Sequence, residues 1–433
     1  MPRLVSSKYN YEFKALDGNT LIMNGLSGTV IENPQGGLEG SELSSDDQSV
    51  LVQHHFLHDA DEGQEELLLR RNLAVKNNAS RVEVTVQLHE ECNFRCTYCN
   101  QDFRNQAFDD PLQARLMTYL DGHLPRDGKL YVHYYGGEPL LAWDHLVHLD
   151  QSIVAFTREK NAHYRFFITS NGSLLTEDKV DYLEKRDVRH VKVTLDGPAE
   201  VHNARRLKAG GQGTFDLIVR NIVAAAPRIP VVVRVNIDGS NYARIPELVD
   251  QMAEALTAAG REDTGPDAIA FDFNIVYDGR TRRLAPDVSY EDLHRLQRYT
   301  LDTGFRLRLP PLLRFRHCKF NSPNSALIDT DGGIYVCDKT PELKVDDLPE
   351  LGGSTARKKS LPVFQGNPRD SFTSLGNECQ SCPVLPLCGG GCSLLAAGQE
   401  GPACPPWKPY LSQYLQIHHL AQSDANPEGG GRE

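Results

Sequence analysis

The chain has 433 residues, enough for a large core and more than one domain. Charged residues make up 24% of it and the net charge is −12, which argues against broad nucleic-acid or membrane-surface binding while leaving room for a local basic patch. No apolar run reaches the length of a membrane span, and Met1–Asn10 has no hydrophobic signal region. The expectation is a cytoplasmic protein with neither nucleic acid nor membrane as partner.

In chain order, Tyr9–Glu32 alternates like a hairpin around the turn Asp17-Gly18-Asn19. Pro34–Asp47 is rich in Gly, Ser and acid and reads as a loop. Leu51–Lys76 reads as helical, with an acidic break near Asp59–Glu62. Apolar, β-branched runs then appear at Arg81–Leu88, Leu130–Tyr135, Tyr164–Thr169, His190–Leu195, Pro230–Ile237 and Ala268–Val276. Amphipathic stretches lie among them at Asp144–Arg158, Glu177–Lys185, Phe215–Ala226, Ile245–Ala258 and Tyr290–Thr303. This α/β alternation implies a parallel sheet with helices on its outer face, either an open doubly wound sheet or a partial barrel. Both place function at the C-terminal ends of the strands. The segment from Arg316 to about Trp407 is rich in cysteine and poor in periodicity, as expected of a fold held by metal. The tail Asp424–Glu433 has a disordered composition, and no internal repeat is present.

The ten cysteines are Cys92, Cys96, Cys99, Cys318, Cys337, Cys379, Cys382, Cys388, Cys392 and Cys404. An even count would suit a disulfide scaffold, but such scaffolds are small and secreted. Clustered cysteines in a large intracellular chain point to metal ligation. Cys92-Asn-Phe-Arg-Cys96-Thr-Tyr-Cys99 directly follows the first strand of the alternating core. Three thiolates leave one iron of a four-iron cube open, which suits a cluster that must bind a substrate or cofactor. Zinc is the alternative, with His89 as a fourth ligand.

Further motifs close the following strands. Tyr135-Gly136-Gly137-Glu138-Pro139 ends the second, with paired glycines for close approach and a carboxylate for an ammonium group. Thr169-Ser170-Asn171-Gly172 ends the third and Thr194-Leu195-Asp196-Gly197-Pro198 the fourth. Arg206 follows His202, and Arg234 and Asn236 occupy alternate positions of the fifth strand; Arg suits a carboxylate and Asn a ribose hydroxyl. Each motif taken alone is also an ordinary turn.

Taken in order, these motifs resemble the radical S-adenosylmethionine superfamily. The resemblance implies a partial (β/α)6 TIM-like barrel whose first three cysteines hold a [4Fe-4S] cluster. S-adenosylmethionine would chelate the open iron and be cleaved to a 5′-deoxyadenosyl radical that abstracts hydrogen from an unreactive carbon. It also implies cofactor contacts from Gly136, Gly137, Glu138, Pro139, Ser170, Asn171, Asp196, Arg206, Arg234 and Asn236. His202 and Arg206 have the spacing of the family's His-Asp-x-x-Arg segment, with Asn203 in place of Asp.

The last seven cysteines resemble the SPASM extension, a cysteine-rich C-terminal domain with two auxiliary four-iron clusters. Cys-x2-Cys by itself would also suit a zinc ribbon. By the family pattern Cys379, Cys382, Cys388 and Cys404 ligate the outer cluster, and Cys318, Cys337 and Cys392 the inner one. Lys319–Ser325 lacks the eighth cysteine of some relatives, so the inner cluster has a fourth position for another ligand or a substrate thiolate. Asp338 stands where sulfatase-maturing relatives place a proposed base; a solvated surface Asp is the plain alternative.

The resulting division is an N-terminal segment over 1–80, the barrel over 81–310, the SPASM domain over 311–410, and a C-terminal helix and disordered tail over 411–433. The implied function is an oxidoreductase-type peptide (RiPP) maturase that crosslinks a ribosomally made precursor peptide and draws electrons from a flavodoxin or ferredoxin. A sulfatase maturase that forms formylglycine, a peptide epimerase, and a non-catalytic electron carrier or zinc scaffold are the alternatives. The N-terminal segment is either a peptide-recognition element or a brace on the barrel.

Overall fold

The computed structural model describes residues 3–34, 37–38, 43–61, 63–76, 78–99, 101, 103–261, 268–278, 283–284, 287–313, 324–335, 337, 344–351, 377–392 and 402–423. Cys318, Asp338 and the tail Asp424–Glu433 lie outside these residues. The chain forms two compact units. One comprises Ala79–Arg308 with Asn324–Leu361, and the other Met1–Asn78 with Leu309–Pro323 and Pro362–Glu433. This differs from a division into successive blocks, because the N-terminal segment shares a unit with most of the cysteine-rich C-terminal part.

The first unit is built on a ten-stranded sheet. Its strands are β1 (Arg81–His89), β2 (Lys129–Gly136), β3 (His163–Ser170), β4 (Val191–Thr194), β5 (Val231–Ile237), β6 (Ile269–Ile275), β7 (Arg306–Leu307), β8 (Ser325–Ile328), β9 (Gly333–Tyr335) and β10 (Lys344–Asp347). The spatial order is β7-β6-β5-β4-β3-β2-β1-β8-β9-β10. Neighbours from β7 to β8 are parallel, and β9 and β10 return antiparallel. The first six strands thus lie in sequence order, which is the layout of a partial barrel and not of a doubly wound sheet with a reversal point.

Alternation explains the layering. Val82, Val84, Val86 and Leu88 of β1 are buried, as are Val191 and Val193 of β4 and Val231, Val233, Val235 and Ile237 of β5. These residues share one face, which the crossover helices cover, while the intervening positions turn to the inner side. The longer helices are α1 (Asp110–His123), α2 (Trp143–Glu159), α3 (Glu177–Lys185), α4 (Phe215–Ala225), α5 (Ile245–Ala258) and α6 (Tyr290–Asp302), with a short helix over Ala199–Arg205 before α4. All of the longer ones but α1 match the amphipathic stretches read from the sequence to within a residue at either end. The added helix α1 begins at Asp109, whose carboxylate accepts from the Leu112 amide at 3.1 Å, and it buries Leu112, Leu116, Tyr119 and Leu120.

Asp150 ties two crossovers to the sheet. Its fully buried carboxylate on α2 accepts from Tyr164 of β3 at 2.9 Å, and from Tyr182 and Arg186 after α3 begins, both at 2.6 Å.

In the second unit, Asn10–Lys14, Thr20–Asn24 and Val30–Glu32 form a three-stranded antiparallel sheet, one strand more than the hairpin read from the sequence. Asp17 accepts from the Asn19 amide at 2.9 Å, and Gly18 takes φ 88°, so the predicted turn is present. A helix starts at Ser45, inside the stretch read as loop, because Ser44 caps it by accepting from the Asp47 amide. The helical stretch read over Leu51–Lys76 with an acidic break is two helices, Ser45–Gln53 and Gln64–Lys76. Between them Leu57–Asp59 is a strand paired with Leu4–Ser6, so the break is wider than the acidic residues suggest. Phe56 and Leu57 are buried with Ile22, Leu38 and Leu51, which explains why the chain leaves the helix there.

Candidate functional site

The first cysteines leave β1 at its C-terminal end, where close backbone packing sets the start of the loop. The Gly137 amide donates to the His89 carbonyl at 2.8 Å and the Glu138 amide to the Glu91 carbonyl at 3.0 Å. A Cβ on Gly136 would stand 2.3 Å from the His89 carbonyl oxygen, and one on Gly137 would stand 2.5 Å from the carbonyl oxygens of Glu90 and Glu91. Both glycines are therefore required by the chain's own packing, and Gly136 also has φ 142°. The other side of the loop's root is held by Glu90, which is buried, ion-paired with Arg104 and bonded by Thr330 Oγ1 at 2.6 Å.

Within the loop, Phe94–Cys96 pairs with Arg206–Lys208. The Cys99 amide donates to the Cys96 carbonyl at 3.1 Å, so the last two cysteines share a turn. Cys92 is buried, and burial pushes its thiol up to about 11. Its sulfur accepts from the Phe94 amide at 3.4 Å and from Asn171 Nδ2 at 3.7 Å. Asn171 also donates to Asn93 Oδ1 at 2.7 Å, which fixes the loop to the end of β3.

Glu138 is fully buried and burial raises its pKa. Its carboxylate accepts from Ser170 Oγ at 2.8 Å, the Asn171 amide at 2.6 Å and the Leu140 amide at 2.9 Å. The side chain read from sequence as an ammonium acceptor also joins the ends of β2 and β3, and Pro139 begins the short 3-10 turn that follows.

Asp196, Arg206 and Asn236 come together around Tyr98, a residue the sequence reading did not single out. The Tyr98 hydroxyl donates to Asp196 Oδ2 and accepts from Arg206 Nη1 at 2.5 Å and Asn236 Nδ2 at 3.3 Å. Asp196 is fully buried and also accepts from the Asn236 amide at 3.1 Å. Burial alone would lower the pKa of Arg206, but Tyr98, Cys96 and Asp196 outweigh it and keep the guanidinium charged. The position of Tyr98 between two cysteines was a signal that it shares their site. Arg234 is engaged elsewhere: its Nη2 lies 3.1 Å from Asp272 Oδ2.

His202 is buried and holds the fourth strand's end to α4. Its Nδ1 accepts from the Asp196 amide at 3.3 Å, so Nε2 carries the proton and donates to Thr214 Oγ1 at 2.9 Å. Asn203, which replaces an Asp, accepts from the Thr214 and Phe215 amides at 2.7 and 3.0 Å and caps α4. His89 Nδ1 accepts from the Glu91 amide at 2.8 Å, so that nitrogen is engaged within the chain.

In the second unit, Cys379, Cys382, Cys388 and Cys404 gather. Burial raises the pKa of Cys379 and of Cys388; the charges of Cys382 and Cys404 add to both. Gly391 brings 404 close, since a Cβ there would stand 2.1 Å from the Ala403 carbonyl oxygen. Cys388 Sγ accepts from the Gly390 amide at 3.4 Å and Cys404 Sγ from Lys408 Nζ at 3.5 Å. Cys337 lies in the barrel unit just after β9 and Cys392 in the other unit. No disulfide joins the described cysteines. Among the described residues no group of three His, Cys, Asp or Glu is arranged to hold a metal ion.

Two observations fit the groups these cysteines imply. Amide and ammonium donors point at the sulfurs of Cys92, Cys388 and Cys404, as they do at cluster thiolates. Beside Cys96, Arg206 Nε is buried without a partner and matches an anionic ligand group such as a carboxylate.

A partial barrel with three thiols after its first strand, and a Glu, Asn, Asp and Arg set beyond the next strands, is the arrangement that the resemblance to radical S-adenosylmethionine enzymes implies. Residues 86–252 match the Radical SAM superfamily, so the chain carries a Radical SAM domain. Such a domain uses a SAM-binding [4Fe-4S] cluster and S-adenosylmethionine itself. Fe-coproporphyrin III synthase of Methanosarcina barkeri is 26% identical over 211 residues, and the match spans about half of each chain, 48% of both. A cysteine-type anaerobic sulfatase-maturating enzyme of Clostridium perfringens is 25% identical over 336 residues, 70% of this chain and 85% of the relative. The solved structure of native anSMEcpe with bound AdoMet and Kp18Cys peptide has the same fold, with TM-score 0.56 and 16% identity over 80% of this chain and 99% of that one. No helix among the described residues is long and apolar enough to cross a membrane.

Proposed function

We propose that the protein matures a ribosomally made precursor peptide by removing hydrogen from a side chain or Cα and closing a thioether or carbon–carbon crosslink. The observation that carries this reading is the joint presence of a Radical SAM domain and, in the second unit, four thiols, Cys379, Cys382, Cys388 and Cys404, near enough for their charges to act on one another. When bound, S-adenosylmethionine and the first cluster supply one-electron cleavage of the sulfonium and so a carbon radical that takes the hydrogen. Cys92, Cys96 and Cys99 hold that cluster, and the Phe94 amide and Asn171 stabilise its Cys92 thiolate. The Gly136-Gly137-Glu138 segment would hold the cofactor's ammonium group. Arg206 Nε takes its carboxylate. Asn236 and Ser170 frame the nucleoside at the strand ends.

A crosslink removes two hydrogens from the peptide. One leaves as an atom, the other as a proton, and the remaining electron needs an acceptor. Cys379, Cys382, Cys388 and Cys404 would hold an auxiliary cluster that provides that acceptor; the second set implied by the resemblance, Cys318, Cys337 and Cys392, is divided between the two units and includes a cysteine outside the described residues. Asp338 accepts the proton. A low-potential protein such as a flavodoxin or ferredoxin reduces the first cluster. The substrate class draws on the structural neighbour, which was solved with a bound peptide.

Formylglycine formation on a sulfatase is the second reading, favoured by the sulfatase-maturating relative that this chain matches over 85% of its length. The test is anaerobic incubation of reconstituted protein with dithionite, S-adenosylmethionine and the short peptide encoded beside its gene. A peptide lighter by two hydrogens and lacking an aldehyde supports the crosslink. Loss of sulfur with a hydrazide-reactive aldehyde supports formylglycine, and deuterium uptake without net mass change supports epimerisation. Unchanged peptide alongside 5′-deoxyadenosine release counts against that substrate.

A further inference from the structure

The inner face of the sheet carries a charge cluster that the strand-end site does not use. Lys192 lies between the helix-covered Val191 and Val193, so it projects to the inner side. Arg234 and Asp272 stand opposite each other in the β5–β6 register. Lys192 Nζ is 2.8 Å from Asp272 Oδ2, and Arg234 Nε and Nη2 each lie 3.1 Å from that same oxygen. One carboxylate oxygen therefore serves two cations, and further donors on both remain free to bond. The three side chains retain 16%, 24% and 16% exposure, so the cluster is open to an incoming group.

The surroundings add positive charge. His190, two residues before Lys192 on the same face, is buried and its Nδ1 has no partner. Its ring stacks on Phe167 at 4.8 Å, which stacks on His133 at 4.1 Å. Burial, followed by the charges of Arg308, Lys192 and Arg189, pushes this imidazole down to about 2. Neither Arg189 nor Arg308 is in a salt bridge among the described residues. In a chain of net charge −12, Lys192 and Arg234 on this face, with the exposed Arg189 and Arg308 near enough to act on His190, make a local reversal of sign. It lies close to the chemistry. Arg234 precedes Asn236 by two residues on the same face, which places it about 7 Å below the strand-end site.

We infer that Lys192 and Arg234 anchor a carboxylate of the substrate, an Asp or Glu side chain of an acidic peptide, with Asp272 as their partner in the empty enzyme. This rests on the reading of a peptide substrate given above. The flat His190–Phe167–His133 stack forms the apolar wall against which the peptide lies. Binding brings a second carboxylate to the remaining donors of the two cations, with Asp272 still beside them, so two anions face two cations.

The test uses full-length, cluster-loaded protein under anaerobic conditions and two fluorescent probes, capped tetraglutamate and capped tetraglutamine, at low salt. Tetraglutamate is expected to bind about tenfold more tightly, as for hydrogen bonds to a charged group. Lys192→Gln is expected to abolish the preference. Asp272→Asn frees both cations and is expected to strengthen tetraglutamate binding several-fold, an effect that loss of a merely structural ion pair would not produce. Equal binding of the two probes by the unaltered protein overturns the inference. So does a Lys192→Gln protein that keeps the preference but binds S-adenosylmethionine more weakly, because the anion held would then be the cofactor's. 5′-Deoxyadenosine release by the unaltered protein is measured in parallel. Release without charge preference removes this inference alone, and absence of release removes the function proposed above.

Discussion

Replacing Tyr98 by Phe removes a single oxygen that three strand ends share. In the native protein this hydroxyl donates to Asp196 and receives bonds from Arg206 at 2.5 Å and Asn236 at 3.3 Å. Asp196 is fully buried and Arg206 nearly so, so water does not replace the lost partner freely. Asp196 keeps its bond from the Asn236 amide at 3.1 Å, and Arg205 and Arg206 remain 3.8 and 3.9 Å away. A hydrogen bond to a charged group contributes about 1.5–3 kcal/mol. With the residual contacts counted, the expected loss is about 2 kcal/mol, near the lower half of that range. The fold survives this, because the phenyl ring keeps its packing and only the polar link goes. Urea unfolding of the metal-free protein should show the loss as a lowered midpoint at unchanged slope. In reconstituted protein, iron content should stay close to that of the unaltered enzyme, while reductive cleavage of S-adenosylmethionine slows by about tenfold or more, the factor that 1.4 kcal/mol represents. A Tyr98→Phe protein with unchanged urea midpoint and a cleavage rate within about twofold would refute the hub.

Four other outcomes are expected. Gly137→Ala forces a Cβ to within 2.5 Å of two carbonyl oxygens and should cost about 3 kcal/mol, read as a drop in melting temperature with loss of iron at the first site. Asp150→Ala leaves Arg186 without its buried partner and should cost about 3 kcal/mol in urea, with cofactor cleavage per folded molecule unaltered. Burial depresses His190 to about 2 and His202 to about 3, so the unfolded chain binds their protons first as pH falls below the ordinary histidine value. Their contribution to stability is complete above that value and declines below it, by at most about 1.4 kcal/mol per pH unit for each. His202→Gln should show a shallower loss of stability between neutral and mildly acid pH than the unaltered protein, and equal slopes would contradict the burial argument. Cys382→Ala should lower iron by about four atoms per chain and leave 5′-deoxyadenosine release from the first site measurable, whereas Cys96→Ala should abolish that release. Zinc in place of iron in oxygen-protected protein would refute the cluster assignment altogether.

Much of the barrel could be read from the chain because its strands are half covered. A β-branched run bounded by turn residues, followed by a helical stripe, is a local signal, and it located β1 to β6 within a residue or two. The same locality made the cysteine loop and the strand-end motifs visible, since each is contiguous. Helix α1 was not singled out, although its buried Leu112, Leu116 and Leu120 recur at helical spacing and Asp109 and Pro111 mark its start. The strand Leu57–Asp59 escaped because it is three residues long and exists only by pairing with Leu4–Ser6.

What sequence alone determined here is the inventory: which residues carry thiols, carboxylates and guanidinium groups, and on which strand end each sits. Tertiary structure decided how those groups are spent. Glu138 and the paired glycines also serve the chain's own packing, because a carboxylate deep in the protein must find donors and two backbones in contact leave no space for a Cβ. Tyr98 became the centre of the site, and Lys192 came to share a carboxylate with Arg234, only through contacts between residues far apart in the chain. Hydrogen bonds and ion pairs of that kind depend on distances of a few ångströms between separate strands, and no one-dimensional pattern encodes them.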